Sequence, residues 1–426
     1  MTVVVGAALV ATPALALAAG VSPASVSDDA DPGETIHVVK TITTPEIPPK
    51  PDIVLLVDHT GSMGDAIASV KAEMANIIAT VTAAQPDAQF AVAQYCDVGE
   101  GPFDVLQNLT DSSAAAVAAV TGISLCGGSD TPEAQINALW EIGDGGDAIT
   151  FRPDSSRIVV WFGDAPGHDP SLTHTEADAT ASLVDADAQV LAISVGMNQL
   201  DSTGQATRIT DATDGALVSG IPAGGLGAAI LENLQNLPAE VTANVVCDPG
   251  LSVAFTPALP ETVLSGGDVV LDEAITVASN APQGSTLSCS ATFLINGIAS
   301  GPAFVQTVSI RVNDVTPPTV RCGQGVNPNG QAVAGYKSAG FYQLLATDNL
   351  PGVTITVSDT VPSASFGPYA SGTYVKLTQA PGAIPSAVPF SGAVSRHITL
   401  KGDAIVTATD AAGNTTSVVC TVPPEK

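Results

Sequence analysis

The chain has few positive charges: 13 lysines and arginines stand against 42 aspartates and glutamates in 426 residues, for a formal net charge of −29. Nucleic-acid binding needs basic patches, and anionic membrane surfaces attract basic segments, so this balance argues against both partners. An acidic surface favours solubility and attracts cations. A host proteome that is poor in lysine or adapted to high salt explains the charge equally well.

Sequence motifs of nucleophilic catalysis are also missing. The chain has no G-x-S-x-G elbow, no H-E-x-x-H and no phosphate-binding G-x-x-x-x-G-K. Its six cysteines lack the C-x-x-C spacing that would suggest zinc. A metal-dependent hydrolase stays as an alternative because acidic clusters can activate water, although no general base is evident beside the expected ion. We therefore expect a protein that is not an enzyme.

The N-terminal region is apolar and rich in alanine. Ala14-Leu15-Ala16 and Ala16-Leu17-Ala18 resemble the small-residue sites of signal-peptide cleavage, although no lysine or arginine precedes Lys40. We interpret residues 1–24 as a signal peptide, with an uncleaved membrane anchor as the alternative. No later segment is long and apolar enough to cross a bilayer. The protein is therefore expected to be secreted or held at the cell surface.

Export makes disulfides the expected state of the cysteines, whose number is even. The sequence alone leaves the connectivity open. The simplest pairing is sequential, with one bridge per domain: Cys96–Cys126, Cys247–Cys289 and Cys322–Cys420.

Strand-like and helix-like patterns alternate over residues 51–237, which predicts a doubly wound α/β domain with a mainly parallel sheet. Strands are expected at 53–57, 89–95, 104–107, 157–163, 188–195 and 216–218. Helices are expected at 65–84, 111–121, 131–142, 174–186, 203–212 and 224–235. Residues 25–33, which are acidic and interrupted by proline and glycine, are expected to form a tail.

Helical periodicity disappears after Leu237, and short alternating runs with turn residues follow. This texture predicts all-β immunoglobulin-like sandwich domains. One unit covers 239–313, and the β-branched segment 34–46 is expected to supply it with a further strand. The second sandwich covers 316–423.

The most informative segment is Asp58-His59-Thr60-Gly61-Ser62-Met63, which joins the apolar strand 53–57 to the helix that follows. Open α/β sheets bind ligands at the carboxyl ends of their strands. One carboxylate and two neutral hydroxyls suit a hard divalent cation. So few negative ligands leave the ion able to accept a carboxylate from outside. His59 is expected to point away from the ion, toward the surface.

Two further acidic loops are expected at the same sheet edge. Ser129-Asp130-Thr131-Pro132-Glu133 precedes a predicted helix, with Pro132 in the first turn and Asp130 or Thr131 as its cap. The apolar strand 158–163 ends at Asp164. Three carboxylate loops at one edge are unfavourable unless a cation neutralises them.

These residues resemble the metal-ion-dependent adhesion site of the von Willebrand factor A domain, and most closely that of the A-like domain of integrin β subunits. The resemblance implies Mg²⁺ (or Mn²⁺) and a protein ligand that presents an aspartate or glutamate. The metal-binding residues it implies are Asp58, Thr60, Ser62, Glu133 and Asp164.

The same resemblance implies adjacent Ca²⁺ sites. Asp65 matches one of two acidic ligands of the first, but Ala66 replaces the other. The second would use Asp97, Asp130 and the carbonyl of Pro132; glycine, at position 128, replaces its usual asparagine.

The flanking regions carry resemblances of their own. A sandwich built from 34–46 and 239–313 resembles the hybrid domain into which the integrin β A-like domain is inserted. The C-terminal unit resembles a hyalin-repeat domain in three segments: Asp314-x-Thr316-Pro317-Pro318, Ala346-Thr347-Asp348-Asn349 and 408–414. Together they imply an extracellular, metal-dependent adhesion or ligand-binding protein. The alternative is a structural surface or matrix scaffold that uses metal for stability.

Overall fold

The computed structural model describes residues 18–128, 131–324, 339–360, 364–390 and 394–425. Residues 1–17, most of the predicted signal peptide, lie outside the described residues. Three strands precede the α/β unit: β1 (Gly20–Ser22), β2 (Ser25–Ala30) and β3 (Thr35–Thr43).

The structure differs from the sequence expectations at two places at this end of the chain. β1 pairs with β3, so the folded region begins before residue 24. β2 replaces the expected acidic tail and pairs in parallel with the strand 305–312. The reason is that Ala30 enters the core while the aspartates of β2 stay exposed, a pattern that a half-buried strand tolerates.

The α/β unit follows the predicted order of strands and helices closely. Its strands are β4 (Pro51–Asp58), β5 (Gln89–Tyr95), β6 (Asp104–Thr110), β7 (Ser156–Gly163), β8 (Ala188–Val195) and β9 (Ala216–Ile221). Its helices are α1 (Gly64–Ala84), α2 (Ser113–Gly122), α3 (Gln135–Ile142), α4 (Glu176–Asp185), α5 (Gln205–Ala212) and α6 (Leu226–Leu234).

The sheet of this unit has the order β6-β5-β4-β7-β8-β9. It is mixed, since β6 alone runs antiparallel to its neighbour. Helices α1, α2 and α6 pack against one face, where Leu55 and Val57 are buried. Helices α3, α4 and α5 cover the other, where Val54 and Leu56 are buried. Burial on both faces explains why β4 is a continuous apolar run, and the α/β prediction is confirmed.

One helix start differs from the prediction. α3 begins at Gln135, so Pro132 is not in its first turn. The residues that precede α3 run instead beside the loop that follows β7. Glu133 forms a bridge with Gly167 there, and its N–H donates to the Pro166 carbonyl over 2.9 Å.

The chain beyond the α/β unit is largely β-strand. The first group comprises β10 (Pro238–Cys247), β11 (Leu251–Thr256), β12 (Glu261–Leu264), β13 (Asp268–Val277), β14 (Thr286–Ile295), β15 (Ile298–Ala299) and β16 (Val305–Val312). These strands form two sheets with β1–β3, in the orders β1-β3-β13-β11 and β12-β10-β14-β16-β2. Their apolar residues form two core clusters, one around Phe293 and one around Ile310.

The second group forms two further sheets around one core that includes Tyr342 and Val406. The sheet orders are β17-β18-β21-β23-β22 and β20-β19-β24-β25. The strands are β17 (Thr319–Gln324), β18 (Phe341–Thr347), β19 (Thr354–Asp359), β20 (Ser365–Ala370), β21 (Tyr374–Gln379), β22 (Ser386–Pro389), β23 (Arg396–Leu400), β24 (Ala404–Thr409) and β25 (Thr415–Cys420).

The sequential disulfide pairing is confirmed: the bridges are Cys96–Cys126, Cys247–Cys289 and Cys322–Cys420. Cys247 and Cys289 also face one another in the register of β10 and β14. Within the described ranges, no helix is long and apolar enough to span a membrane.

Candidate metal centre

The candidate site lies where the strand order of the α/β sheet reverses. β4 has β5 on one side and β7 on the other, and all three run in parallel. Asp58 is the last residue of β4, and Asp164 directly follows β7. The loops after such neighbouring strands diverge and leave a crevice, which is the usual ligand position in open α/β sheets.

Hydrogen bonds connect four of the predicted metal-binding residues. Asp58 Oδ1 accepts from the Thr60 N–H over 3.0 Å and from Thr60 Oγ1 over 2.8 Å. Thr60 Oγ1 lies 3.3 Å from Ser62 Oγ, which donates to Asp164 Oδ1 over 3.0 Å. The predicted turn therefore places two hydroxyls between two carboxylates.

Asp58 is the most unusual group in this arrangement. It is fully buried, and its Oδ2 atom has no hydrogen-bond partner. Burial raises the pKa of Asp58 to about 6 against the opposing hydrogen bonds from Thr60, and the nearby Asp164 charge contributes to the rise. A buried carboxylate oxygen without a donor is costly, and a cation would remove that cost. Hard oxygen ligands of this kind fit Mg²⁺ or Mn²⁺.

A glycine gives this carboxylate its space. A Cβ atom at Gly163 would lie 2.9 Å from Asp58 Oδ2 and would collide with the Tyr95 hydroxyl. That hydroxyl is fixed from behind, since it accepts from the Trp161 indole N–H over 3.1 Å. Burial, with the Asp58 charge next in importance, raises the pKa of Tyr95 well above its usual value. Tyr95 therefore stays a neutral phenol beside the carboxylates.

Glu133 reaches the same crevice from a different loop. It is buried, and a Cβ atom at Gly128 would lie 3.1 Å from Thr60 Cβ and 3.8 Å from Glu133 Oε1. Among the described residues, the carboxylates of Asp58, Glu133 and Asp164 are not gathered within 4.8 Å of one another.

Two buried glutamines hold the loops of the crevice together. Gln135 Nε2 donates to the Ala165 carbonyl over 3.0 Å. Gln205 accepts from the Gly167 N–H over 2.9 Å and donates to the Gly167 carbonyl over 3.1 Å. Neither glutamine was predicted to take part in the site, and the only signal for them in the sequence was a polar residue on the inner face of α3 and of α5.

The described residues of the two predicted adjacent Ca²⁺ sites are not joined by hydrogen bonds in the way that Asp58, Thr60, Ser62 and Asp164 are. Asp65 is exposed in the first turn of α1. Asp97 is buried; its Oδ1 accepts from the Val98 N–H over 2.6 Å and lies 3.2 Å from His168 Nε2. Asp130, its predicted co-ligand, lies outside the described residues, while Pro132 lies in the connection before α3.

The prediction of a surface position for His59 is wrong. Its side chain is buried, with Nδ1 2.8 Å from the Ser124 carbonyl. The His59 carbonyl accepts from the Cys126 N–H over 2.9 Å, and the Cys96–Cys126 bridge therefore encloses this turn.

A second group of carboxylates was not predicted. Asp314, Asp348 and Asp410 place one oxygen each within 4.8 Å of one another. Asn414 joins two of them, because its Nδ2 donates to Asp410 Oδ2 over 2.9 Å and to the Asp314 carbonyl over 2.8 Å. These contacts connect the loop that ends the first β region to two turns of the second.

Comparison with known proteins identifies the class of the α/β unit. Residues 52–206 match the family model of the von Willebrand factor A domain, and the chain therefore contains such a domain. No curated protein matches the chain.

Two solved structures resemble the chain remotely. One is a von Willebrand factor type A protein from Catenulispora acidiphila, with 16% identity and a TM-score of 0.36 over 68% of this chain and 72% of that one. The other is proximal thread matrix protein 1 from the mussel byssus, with 15% identity and a TM-score of 0.34 over 47% of each chain.

Proposed function

We propose that the von Willebrand factor A domain of this protein binds Mg²⁺ or Mn²⁺ and, through the ion, a carboxylate of a protein ligand. The observation that carries the proposal is the buried, unpartnered Oδ2 of Asp58 beside the hydroxyls of Thr60 and Ser62. Domains of this class are usually interaction modules rather than enzymes, which agrees with a binding role.

The five residues have different parts in this proposal. Thr60 and Ser62 offer neutral hydroxyl oxygens at the crevice. Asp58, Glu133 and Asp164 act directly or through water, which suits the spread of their carboxylates. Because two of the five are neutral, a bound ion keeps affinity for one more anionic oxygen, and an aspartate or glutamate of the partner supplies it.

The proposal extends to the adjacent metal sites and to the location of the protein. Asp65 would take part in one adjacent Ca²⁺ site, and Asp97, Asp130 and the Pro132 carbonyl in another. The pairing of all six cysteines fits an oxidising compartment, which supports secretion or a cell-surface location.

The domain order supports a closer likeness to the integrin β head. β3, before the α/β unit, pairs with β13, after it. The von Willebrand factor A domain therefore interrupts one β unit, as the hybrid-domain resemblance implies. A hyalin-repeat identity for the C-terminal strands is proposed on its sequence motifs alone.

The test uses the full chain and three proteins: wild type, Asp58→Ala, and Asp185→Ala as a matched control. Asp185 is an exposed aspartate at the end of α4. Mn²⁺ binding is measured by electron paramagnetic resonance, and ligand binding on an array of peptides that present aspartate or glutamate, with asparagine and glutamine counterparts. We expect wild type and Asp185→Ala to bind both, and Asp58→Ala to bind neither while its circular dichroism is unchanged.

Each alternative function has its own outcome. Carboxylate peptides that stay bound in EDTA, or that bind Asp58→Ala, would contradict the proposal. A melting temperature that falls in EDTA without any metal-dependent peptide binding would favour the structural scaffold. Turnover of phosphoester or peptide substrates that depends on metal and Asp58 would favour a hydrolase.

A further inference from the structure

A layer of polar side chains crosses the core of the β unit formed by β1–β3 and β10–β16. Lys40 lies on β3, Glu273 on β13 and Gln306 on β16, and each is 0% exposed. Their neighbours along the strands belong to the two apolar clusters, with Ile42 and Leu271 in one and Ile275 and Val308 in the other. The polar layer therefore lies between the two apolar clusters in the interior of this β unit.

The register of the strands brings these three groups together. β13 and β3 are antiparallel with Leu271 opposite Lys40, so Glu273, two residues further, lies diagonally across from Lys40 on the same face. Lys40 Nζ lies 3.2 Å from Glu273 Oε2 and donates to the Pro23 carbonyl over 2.8 Å. Gln306, from the other sheet, donates through Nε2 to the same Glu273 Oε2 over 2.8 Å.

This arrangement is poorly explained as a stabilising network. Glu273 Oε1 and Gln306 Oε1 are buried and have no hydrogen-bond partner. A buried ion pair rarely repays its desolvation unless its remaining polar atoms are satisfied, and apolar side chains would serve the core at least as well. The same three groups are, however, a buried amine, a carboxylate and a carboxamide, and the carboxylate contacts both of the nitrogens.

We propose that Lys40 and Gln306 become joined by an amide bond across the two sheets, with Glu273 as the general acid and base. The carboxylate touches both nitrogens that change bonding, as a proton carrier between them must. Holding the amine and the carboxamide against one buried carboxylate replaces a bimolecular encounter with an effectively unimolecular step, and near-attack geometry in such a step raises rates by many orders of magnitude.

The reaction balances within these three side chains. The Lys40 ammonium gives one proton to Glu273, and the free amine attacks Gln306 Cδ to form the Nζ–Cδ bond. The Cδ–Nε2 bond then breaks. The second proton of the amine reaches the leaving nitrogen through Glu273, which ends as a carboxylate when the product departs as ammonium. No oxidant, reductant or further reactant is needed.

The electrostatic environment favours the first step. Burial lowers the pKa of Lys40, against the opposing effect of the Glu273 charge and hydrogen bond. A lysine in this position gives up its proton more readily than one in water, so the nucleophilic amine is more available.

Mass spectrometry of the reduced full chain tests the proposal directly. We expect an intact mass below the sequence mass by one ammonia, and a branched tryptic peptide in which Lys40 is not cleaved and is joined to the segment that contains Gln306. An unchanged mass would overturn the proposal. Loss of one water with a Lys40–Glu273 link would also overturn it, because Gln306 would then not be the acceptor.

Two variants show whether Glu273 has the assigned part. Glu273→Gln keeps the volume but removes the proton carrier, and we expect it to retain the full sequence mass. Lys40→Arg keeps the charge but cannot form the amide, and the same result is expected. A Glu273→Gln chain that still loses ammonia would overturn the role of Glu273. Should either variant fail to fold, the branched peptide of the wild type still decides the proposal.

Discussion

Asp58 illustrates at the scale of one residue how a folded chain can hold a group in an unfavourable state. Its backbone position at the end of β4 is fixed because Asp58 pairs with Tyr95 of β5 and the preceding Val57 pairs with Phe162 of β7. Its Oδ1 is satisfied by Thr60, but its buried Oδ2 has no hydrogen-bond partner among the described residues. Ligand sites commonly store such costs, because binding removes them.

The first prediction concerns the pH dependence of the metal-free protein. The pKa of Asp58 is about 6 in the fold against 3.8 for an ordinary aspartate, so the native state binds the extra proton between these values. Stability from this group therefore rises as pH falls from about 6 toward 4, and above pH 6 its ionisation costs about 3 kcal/mol. Asp58→Asn should remove that cost and be more stable than wild type at pH 7 in EDTA.

Urea unfolding of both proteins at pH 4 and pH 7 measures this difference, and subtracting the variant removes the contribution of the other acidic residues. The advantage of Asp58→Asn should vanish near pH 4. With saturating Mg²⁺ it should reverse at pH 7, because only wild type binds the ion. An advantage that is independent of pH would contradict the assigned pKa.

A second residue-scale prediction uses Gly163. Gly163→Ala places a methyl group against Asp58 Oδ2 and the Tyr95 hydroxyl, both held by a packed sheet. We expect a loss of about 1–3 kcal/mol in the free energy of unfolding, typical of overpacking, and weaker Mn²⁺ binding. Gly99→Ala is the control, because nothing lies within 4 Å of its added Cβ. Equal effects of the two substitutions would show that the space beside Asp58 is unimportant.

At the scale of elements, the crevice depends on how loops are fastened to one another. Asp58 follows from strand β4 and Asp164 from β7, but Glu133 comes from the irregular connection before α3. Its backbone is paired with the loop after β7, and Gln205 of α5 holds the far side of that loop. Helix α5 therefore positions Glu133 indirectly, although it contributes no proposed ligand.

The third prediction tests this fastening. Gln205→Glu keeps the shape of the side chain but cannot donate to the Gly167 carbonyl, which leaves a buried acceptor unpaired at a cost of about 1–3 kcal/mol. We expect weaker Mn²⁺ affinity together with lower stability. Asp211→Ala, an exposed substitution on the same helix, is the control. Mn²⁺ affinity is measured by calorimetric titration. A wild-type affinity for Gln205→Glu would show that α5 does not position the metal-binding residues.

Regular elements were predictable from the sequence, whereas irregular connections were not. A short, continuous apolar run such as that of β4 predicts a strand that is covered on both faces. That prediction also places the Asp58 turn at the carboxyl end of the strand. The start of α3 was misplaced because Pro132 satisfies the local rules for a first turn, while the pairing of Glu133 with Gly167 is tertiary. β2 was not predicted because most of its residues are polar and exposed, so the sequence shows no clear alternation of apolar and polar positions.

The Lys40, Glu273 and Gln306 layer shows the same limit more strongly. Each residue lies on a different strand of an alternating pattern, and nothing local distinguishes it from an exposed polar residue. Only the pairing of β3 with β13 and the position of β16 in the opposite sheet bring the three together.

At the scale of the whole molecule, the proposed amide would change how force passes through the chain. The von Willebrand factor A domain lies between β3 and β10, and therefore between Lys40 and Gln306. Tension applied at the two ends would pass through the new bond and bypass every residue between them. A domain outside the load path would stay folded while the rest of the chain is stretched.

The last prediction is the length released when the reduced full chain is pulled from its termini in an optical trap. With the amide in place, only the residues outside the Lys40–Gln306 loop extend, giving roughly 55 nm of contour length rather than roughly 145 nm for the whole chain. Reduction opens the three disulfides, which would otherwise shorten both values. Glu273→Gln should release the full length, because without the amide no loop between residues 40 and 306 is closed. A wild-type chain that extends to the full length would mean that the two sheets are not covalently joined and that the von Willebrand factor A domain bears the load.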